Sequence, residues 1–392
     1  MLKIKINILM PMIALILFNI SSAMAVVEPD ADIVNLKTSC MINGDEIDNC
    51  FTDWRSLNIW IRGTRKPNVT SPLKVSIGTG EFAPDYESGI NHHRLMCNPS
   101  DGFTGYISYV GAGIEHTILS GAGSGNTSPL VVDSCTNISF SHLQISNPNL
   151  GINGYGAIEW KGGGKSHWNS VKVIGNGRAW YETNCGSTPG EHIWADSQII
   201  GHVAFTVAVT YLATCDDSKF YASSISINIP NTYAGGIYEG GAVVAEDEGV
   251  IHVYGSNIVA NIDTGESYST NVAAASAHDG GKIHIHGTGI DVVSNYSQDV
   301  VALSARDGGM IHANSSAYFM RSSGTITRIK NNGGVIMAPY QWQSSPTPPS
   351  IVSVKGADQV VVTETSDGYP HQLIYDNSCV NNWYDTTVRD CY

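Results

Sequence analysis

Basic side chains are scarce in this sequence: Lys and Arg number 21 against 35 Asp and Glu in 392 residues. That balance excludes nucleic acid and anionic membrane as partners of the whole surface. After residue 25 there is also no apolar run long enough to be a transmembrane helix. The compact catalytic and metal motifs are missing too. There is no C-x-x-C for zinc, no H-E-x-x-H and no GGxGxD for calcium-loaded repeats. G-x-S-x-G is absent, because Ala122 stands where "GAGSG" would need its first Gly. Phosphate loops and dinucleotide fingerprints are likewise missing.

What is present begins with an export signal. Lys3 and Lys5 precede the apolar run "ILMPMIALILF", and Ala23-Met24-Ala25 is an Ala-x-Ala cleavage site. Residues 1–25 therefore read as a signal peptide, and the product as secreted, periplasmic or held at the cell surface. The mature chain, from Val26, keeps 19 basic against 35 acidic groups, a net charge of −16. All eight cysteines lie beyond the cleavage site, as suits disulfides in an oxidising compartment. Cys40–Cys50 and Cys379–Cys391 are the close pairs, and Cys97–Cys135 and Cys185–Cys215 would follow. Spacing alone leaves the connectivity open.

A repeat dominates the second half. "EDEGVIH", "HDGGKIH", "RDGGMIH" and the weaker "NNGGVIM" recur at intervals of 32, 28 and 25 residues, measured at 247, 279, 307 and 332. Each unit is a short Val/Ala/Ile run, a Gly turn and a second short run. Alternation after the turn puts Ile251, Val253, Ile283, Ile285, Ile311 and Ala313 on one face. His252, Tyr254, His284, His286, His312 and Asn314 fall on the other, the pattern of strands with one buried and one exposed face. A period of this length with two or three strands matches one coil of a parallel β-helix, which buries its apolar face only by stacking on its neighbours. No β-propeller period of about 40–45 residues is found. The glycines suit a corner needing φ > 0, and the preceding Asp can bond the turn's own N–H groups.

Shorter strands of the same kind fill the earlier chain. "YISYVGAGIEHTILSG" and "CTNISFSHLQISN" resemble early rungs of the secreted right-handed β-helix proteins of the pectate-lyase-like superfamily, and the resemblance covers most of residues 73–339. It implies an all-β, right-handed parallel β-helix and a tendency toward polysaccharide substrates, but no particular reaction. The expected organisation is an N-terminal cap over 26–72, the helix over 73–340, a Pro/Ser-rich linker over 341–350, and C-terminal strands with a second cap over 351–392. In the first cap, Thr52 is the expected N-cap of a helix carrying Trp54, Leu57 and Ile61 on one face.

Two groups of residues are candidates for chemistry. The first is a basic and aromatic island between Gly154 and Glu182, comprising Tyr155, Trp160, Lys161, Lys165, His167, Trp168, Arg178, Trp180 and Tyr181. Aromatic faces stack on sugar rings, and Lys or Arg pairs with carboxylates, so this island is the expected polysaccharide-binding segment. The resemblance implies β-elimination of a uronic-acid polymer as the reaction, if there is one. Arg178, Lys161 or Lys165 would then act as base, with Ca²⁺ held by Asp216, Asp217 or Glu191. A hydrolase would instead need paired carboxylates at a defined separation; Asp216-Asp217 offers an adjacent pair, as polygalacturonase-like β-helices do, but the residues around it do not match that pattern. The second group is the ladder of His252, His284, His286 and His312, which could hold a metal with Asp247, Asp279 or Asp307, or be a polar stack only. The contrasting function is a non-catalytic adhesin or matrix protein, suggested by the low-charge repeat after residue 240.

Overall fold

The structure, a computed structural model, describes residues 32–42, 44–83, 93–121, 128–147, 156–183, 189–202, 207–229, 239–262, 272–293, 300–314, 317–321, 326–340, 350–355, 360–364, 372–375 and 379–382. Alternation decides where each side chain goes. In the strand Val250–Tyr254, Ile251 and Val253 are fully buried, while His252 and Tyr254 are half-exposed. The next copy of the motif lies directly beside it and runs the same way. Ile251 pairs with Ile283 and Ile283 with Ile311; His252 pairs with His284 and His284 with His312. Residues 28 to 32 apart in sequence are therefore neighbours in space.

A regular turn holds three strands, as in Val272–Ala277, Lys282–His286 and Gly289–Val293, and each pairs in parallel with its counterpart one turn on. Two of the three belong to a 21-stranded sheet, here the long sheet, and one to an 11-stranded sheet, the short sheet. This is the architecture of a right-handed parallel β-helix, the hand that parallel crossovers take.

The core runs along the axis as columns of inward side chains. One column reads Tyr109, Phe140, Trp168, Trp194, Phe220, Val253, Ile285 and Ala313. Its first five rings stack at 4.9, 4.4, 4.6 and 6.0 Å between centroids. The column then narrows to aliphatic side chains, facing the fully buried alanines of Val272–Ala277.

The Asp-Gly-Gly corner divides its labour differently from the expectation above. Asp279 and Gly280 both take positive φ, 51° and 91°, as do Asp307 and Gly308 at 48° and 82°. The N–H of Gly281 donates to His278 O at 2.9 Å, and that of Gly309 to Arg306 O at 2.8 Å. Positive φ at both central residues of such a turn is the type I′ geometry. The second glycine has another role: a Cβ on Gly281 would run into the carbonyl of Ala245, and one on Gly309 into that of Ala277. It lets one rung pass close over the rung below. The Asp side chains turn to their preceding neighbours, Asp279 to His278 at 2.8 Å and Asp307 to Arg306 at 3.1 Å, and not to the turn's N–H groups.

Both ends change the pairing. At the N-terminus, Asp32–Leu36 adds in parallel to Leu73–Ile77. The helix Trp54–Trp60 covers the open end with Trp54, Leu57 and the following Ile61 all buried, and Trp54 lies 5.3 Å from the Tyr109 ring. Its N-cap is Asp53 and not Thr52: the Asp53 carboxylate accepts from Ser56 N at 2.7 Å. Cys40–Cys50 and Cys97–Cys135 are formed as expected. Cys215 is also disulfide-bonded; Cys185 and Cys391 lie outside the described residues. At the far end, Ser350–Lys355 and Val360–Glu364 add antiparallel to the long and short sheets. That reversal ends the parallel stack.

Candidate functional site

The alternation that builds the helix splits the basic and aromatic island into three places. Trp160, Trp168 and Trp180 point inward, with at most 1% of their surface exposed. Their faces meet other rings and are closed to a sugar. Trp168 sits between Phe140 and Trp194, and Trp180 stacks on Trp160 at 5.6 Å and on Tyr211 at 5.5 Å. The expectation of Trp-lined binding is corrected here: a parallel coil needs wide inward fillers, and Trp fills the most space.

Lys161, Glu159, Tyr181 and Arg178 fall on or beside the outer face of the short sheet. Lys161 pairs with Glu159 at 3.1 Å. Tyr181 is covered along with Val209, Leu212 and Val244, and Arg178 lies 5.2 Å over its ring. Burial lowers the Arg178 pKa, against the pull of Tyr181 and Glu246. Lys165 and His167 fall on the outer face of the long sheet. Burial lowers His167 as well, with nearby Glu191 opposing. Tyr155 lies outside the described residues.

Inside the helix is a polar network that sequence reasoning did not assemble. Glu182, His192 and Asp216 are buried, and their ligand-type atoms lie within 4.8 Å of one another. The Ser166 hydroxyl accepts from Trp168 Nε1 at 2.7 Å and contacts His192 Nδ1 at 2.7 Å. On the other side of the ring, His192 Nε2 lies 3.0 Å from Asp216 Oδ2. Asp216 also accepts from Gly190 N at 2.6 Å. Glu182 accepts from the backbone N–H groups of Thr214, Cys215 and Asp216, at 2.9, 3.2 and 3.2 Å, and from Trp180 Nε1 at 3.3 Å. Burial raises the Glu182 pKa, assisted by Asp216 and opposed by His192 and the backbone donors.

Serine, histidine and aspartate in line suggest acyl transfer, but the whole set is sealed in the core, where no substrate carbonyl can reach it. As a calcium site it fares no better. Its oxygens already accept N–H bonds, and calcium would require six to eight oxygens. The network satisfies buried polar groups and locks this rung. One sequence signal was available: Trp180 and Glu182 share a face, so an inward Trp implies an inward Glu.

Asp216 and Asp217 therefore part company, because adjacent strand residues face opposite ways. Asp216 belongs to the interior network. Asp217 points outward in register with Glu191 on the neighbouring strand. Between them lies Lys219, 2.7 Å from Glu191 and 3.2 Å from Asp217, while Lys165 is 3.4 Å from Glu191. Partial burial would lower the Lys219 pKa, but its bonds to Glu191 and Asp217 raise it well above normal. The bond from Lys219, with a smaller contribution from Lys165, lowers the Glu191 pKa against its partial burial. The carboxylates expected to hold calcium are thus paired across adjacent strands, but an ammonium already bridges them. The residues as placed do not fit calcium.

Beside this charged column runs an aromatic one. Tyr221 stacks on Tyr254 at 5.1 Å, and Tyr254 on His286 at 5.2 Å. His252 stacks on His284 at 4.7 Å. Because the rings cover each other's faces, they present edges, hydroxyls and ring nitrogens to solvent. Burial lowers His252, His284 and His286, with neighbouring imidazoles contributing; His284 falls to about 4. Asp247, Asp279 and Asp307 stand at the corner turns, apart from these rings.

No known protein family and no curated protein matches the chain. Among solved structures, pectate lyase Pel9A aligns with 82% of this chain and 79% of its own, at 11% identity and a TM-score of 0.48. ORF18 of Geobacillus virus E2 aligns over 97% and 80%, at 11% identity and 0.49. The A-module of the Azotobacter vinelandii mannuronan C-5 epimerase AlgE6 aligns over 72% and 96%, at 14% identity and 0.31. The fold assignment rests on the strand pairing described above. Among the described residues, no helix is long and apolar enough to cross a membrane.

Proposed function

We propose that this is an exported protein that binds an extracellular polysaccharide along the outer face of the long sheet. The observation that carries the reading is the set of adjacent outward columns, Lys165, Glu191 and Asp217 in the first, Lys219 in the next, and aromatic Tyr221 and Tyr254 in the third. Rungs recur every ~4.8 Å, close to the length of one sugar ring, so an extended glycan along the axis would meet equivalent groups at each residue. Sugar hydroxyls both donate and accept. They match a surface that alternates carboxylates, ammonium groups and phenols.

Lys165 is the natural contact for a uronate carboxylate. Its side chain is 58% exposed, and its bond to Glu191 is long, so exchanging partners costs little. The names of two of the aligned structures, a pectate lyase and a mannuronan epimerase, accord with uronic-acid polymers as ligands.

Cleavage by β-elimination is the finer form of this reading. It needs a base of lowered pKa next to the bound uronate. Lys219 is disqualified by its two carboxylate partners. Arg178 has the required direction of shift but stands by the short sheet, away from the outward columns.

The test is calorimetric titration with polygalacturonate, alginate and a neutral glucan, with absorbance followed for unsaturated product. The reading expects binding to a uronic-acid polymer, weakened at least ~10-fold by Tyr254→Ala or Lys165→Ala. Binding to none of the three, or unchanged affinity in both variants, would overturn it. Unsaturated product formed by the parent protein would add the lyase activity to the binding.

A further inference from the structure

Three imidazoles farther along the same face form a group that glycan binding does not use. His284 and His312 are direct register partners on adjacent rungs, and His286 lies two residues from His284 on the same face. Ring orientation separates these three from His252. The His252 ring lies parallel to His284, 11° apart, so the in-plane lone pairs of the two cannot converge. His312 is edge-on to both others, at 87° to His284 with centroids 6.1 Å apart and at 86° to His286 with centroids 5.8 Å apart.

None of the three accepts or donates a side-chain hydrogen bond among the described residues, whereas His252 contacts the Tyr254 hydroxyl at 3.2 Å. Their outward neighbours in the adjacent column are Lys282 and Met310, which are register partners. Val250, Lys282 and Met310 put no carboxylate beside these rings in that column; Asp217 stands two rungs back from Lys282.

We propose that His284, His286 and His312 bind one divalent first-row transition-metal ion of the zinc, nickel or copper type. Imidazole nitrogen suits these metals. Three histidines with an open position form a site that zinc accepts, with metal–nitrogen distances of ~2.0–2.1 Å. At that distance ring centroids about one ion stand about 5 Å apart, whereas the His312 centroid lies 6.1 and 5.8 Å from those of His284 and His286, so the rings must rotate and close up for their nitrogens to meet at one ion. Half-exposed side chains on the outer face of two adjacent strands can do so through their χ angles without disturbing the ladder. Solvent fills the remaining coordination positions.

The experiment titrates the untagged protein with Zn²⁺ at neutral pH in the absence of glycan. The expected result is one ion per chain, weakened at least ~10-fold by His284→Ala and by His312→Ala. His252→Ala should leave the affinity within about twofold, because its ring is not aimed at the ion. Co²⁺ loading, read by visible ligand-field absorption, supplies a second measure on chains whose circular dichroism matches the parent. The His284→Gln/His312→Gln double variant should lose that absorption. Absence of stoichiometric Zn²⁺ binding, or binding unaffected by the double variant, would overturn the proposal.

Discussion

Glu182 shows how a single residue's environment becomes a property of the protein. Burial holds its folded-state pKa above the ordinary 4.5. The folded protein therefore keeps this proton where the unfolded chain has released it. The resulting stability is fully present below pH 4.5 and is lost as pH rises through the raised value. Glu182→Gln retains a neutral acceptor for the N–H groups of Thr214, Cys215 and Asp216. It should remove this part of the pH slope in urea-unfolding midpoints measured from pH 4.5 toward neutrality. An unchanged slope would show that Glu182 ionises normally. Glu182→Ala strands those donors and should cost ~1–3 kcal/mol.

The sequence displayed Glu182 plainly but not its partners. His192 lies on another strand and Asp216 in the bend before a third, and only the register of the coils brings the three together. The island of tryptophans misled for a related reason. Composition shows that rings are concentrated between residues 154 and 182, whereas inward or outward depends on strand phase. The Lys161, Lys165 and Glu159 positions, one step out of phase with the tryptophans, are the ones that reach solvent.

At the scale of the element, the repeated corner is the most legible feature of the chain. Alternation after Asp-Gly-Gly placed Ile283 and Ile285 inside and His284 and His286 outside, as observed. The positive φ of the first glycine was legible, but the purpose of the second was not, because it serves a contact with a different rung. The difference is testable. At Gly255 φ is 53° and a Cβ would meet nothing, so Gly255→Ala should cost only the left-handed strain of ~1–2 kcal/mol. At Gly281 the new methyl collides with the Ala245 backbone, and two rungs must separate along both of their pairings. Gly281→Ala should therefore lower the thermal midpoint more than Gly255→Ala does. The reverse order would mean that rung contact at this corner is loose. The helix cap follows the same logic on a smaller scale: the apolar face Trp54, Leu57 and Ile61 was readable, but the choice between Thr52 and Asp53 as cap was set by backbone geometry.

For the whole molecule, stacking turns a sequence period into surface columns, and the columns supply the candidate site. Charged and aromatic residues that look scattered along the chain, from Lys165 to Tyr254, become one strip because their strands are hydrogen-bonded in register. The low basic content did not prevent this. Lysines are few, but Lys165 and Lys219 are gathered where Glu191 and Asp217 face them.

The most direct test of the strip as a binding surface is hydroxyl-radical footprinting with and without a saturating uronic-acid polymer. Tyr221 and Tyr254 should become protected, while the buried Trp160, Trp168 and Trp180 stay unreactive in both states. Protection confined to the short-sheet side around Lys161 and Tyr181, with Tyr221 and Tyr254 unchanged, would contradict the account.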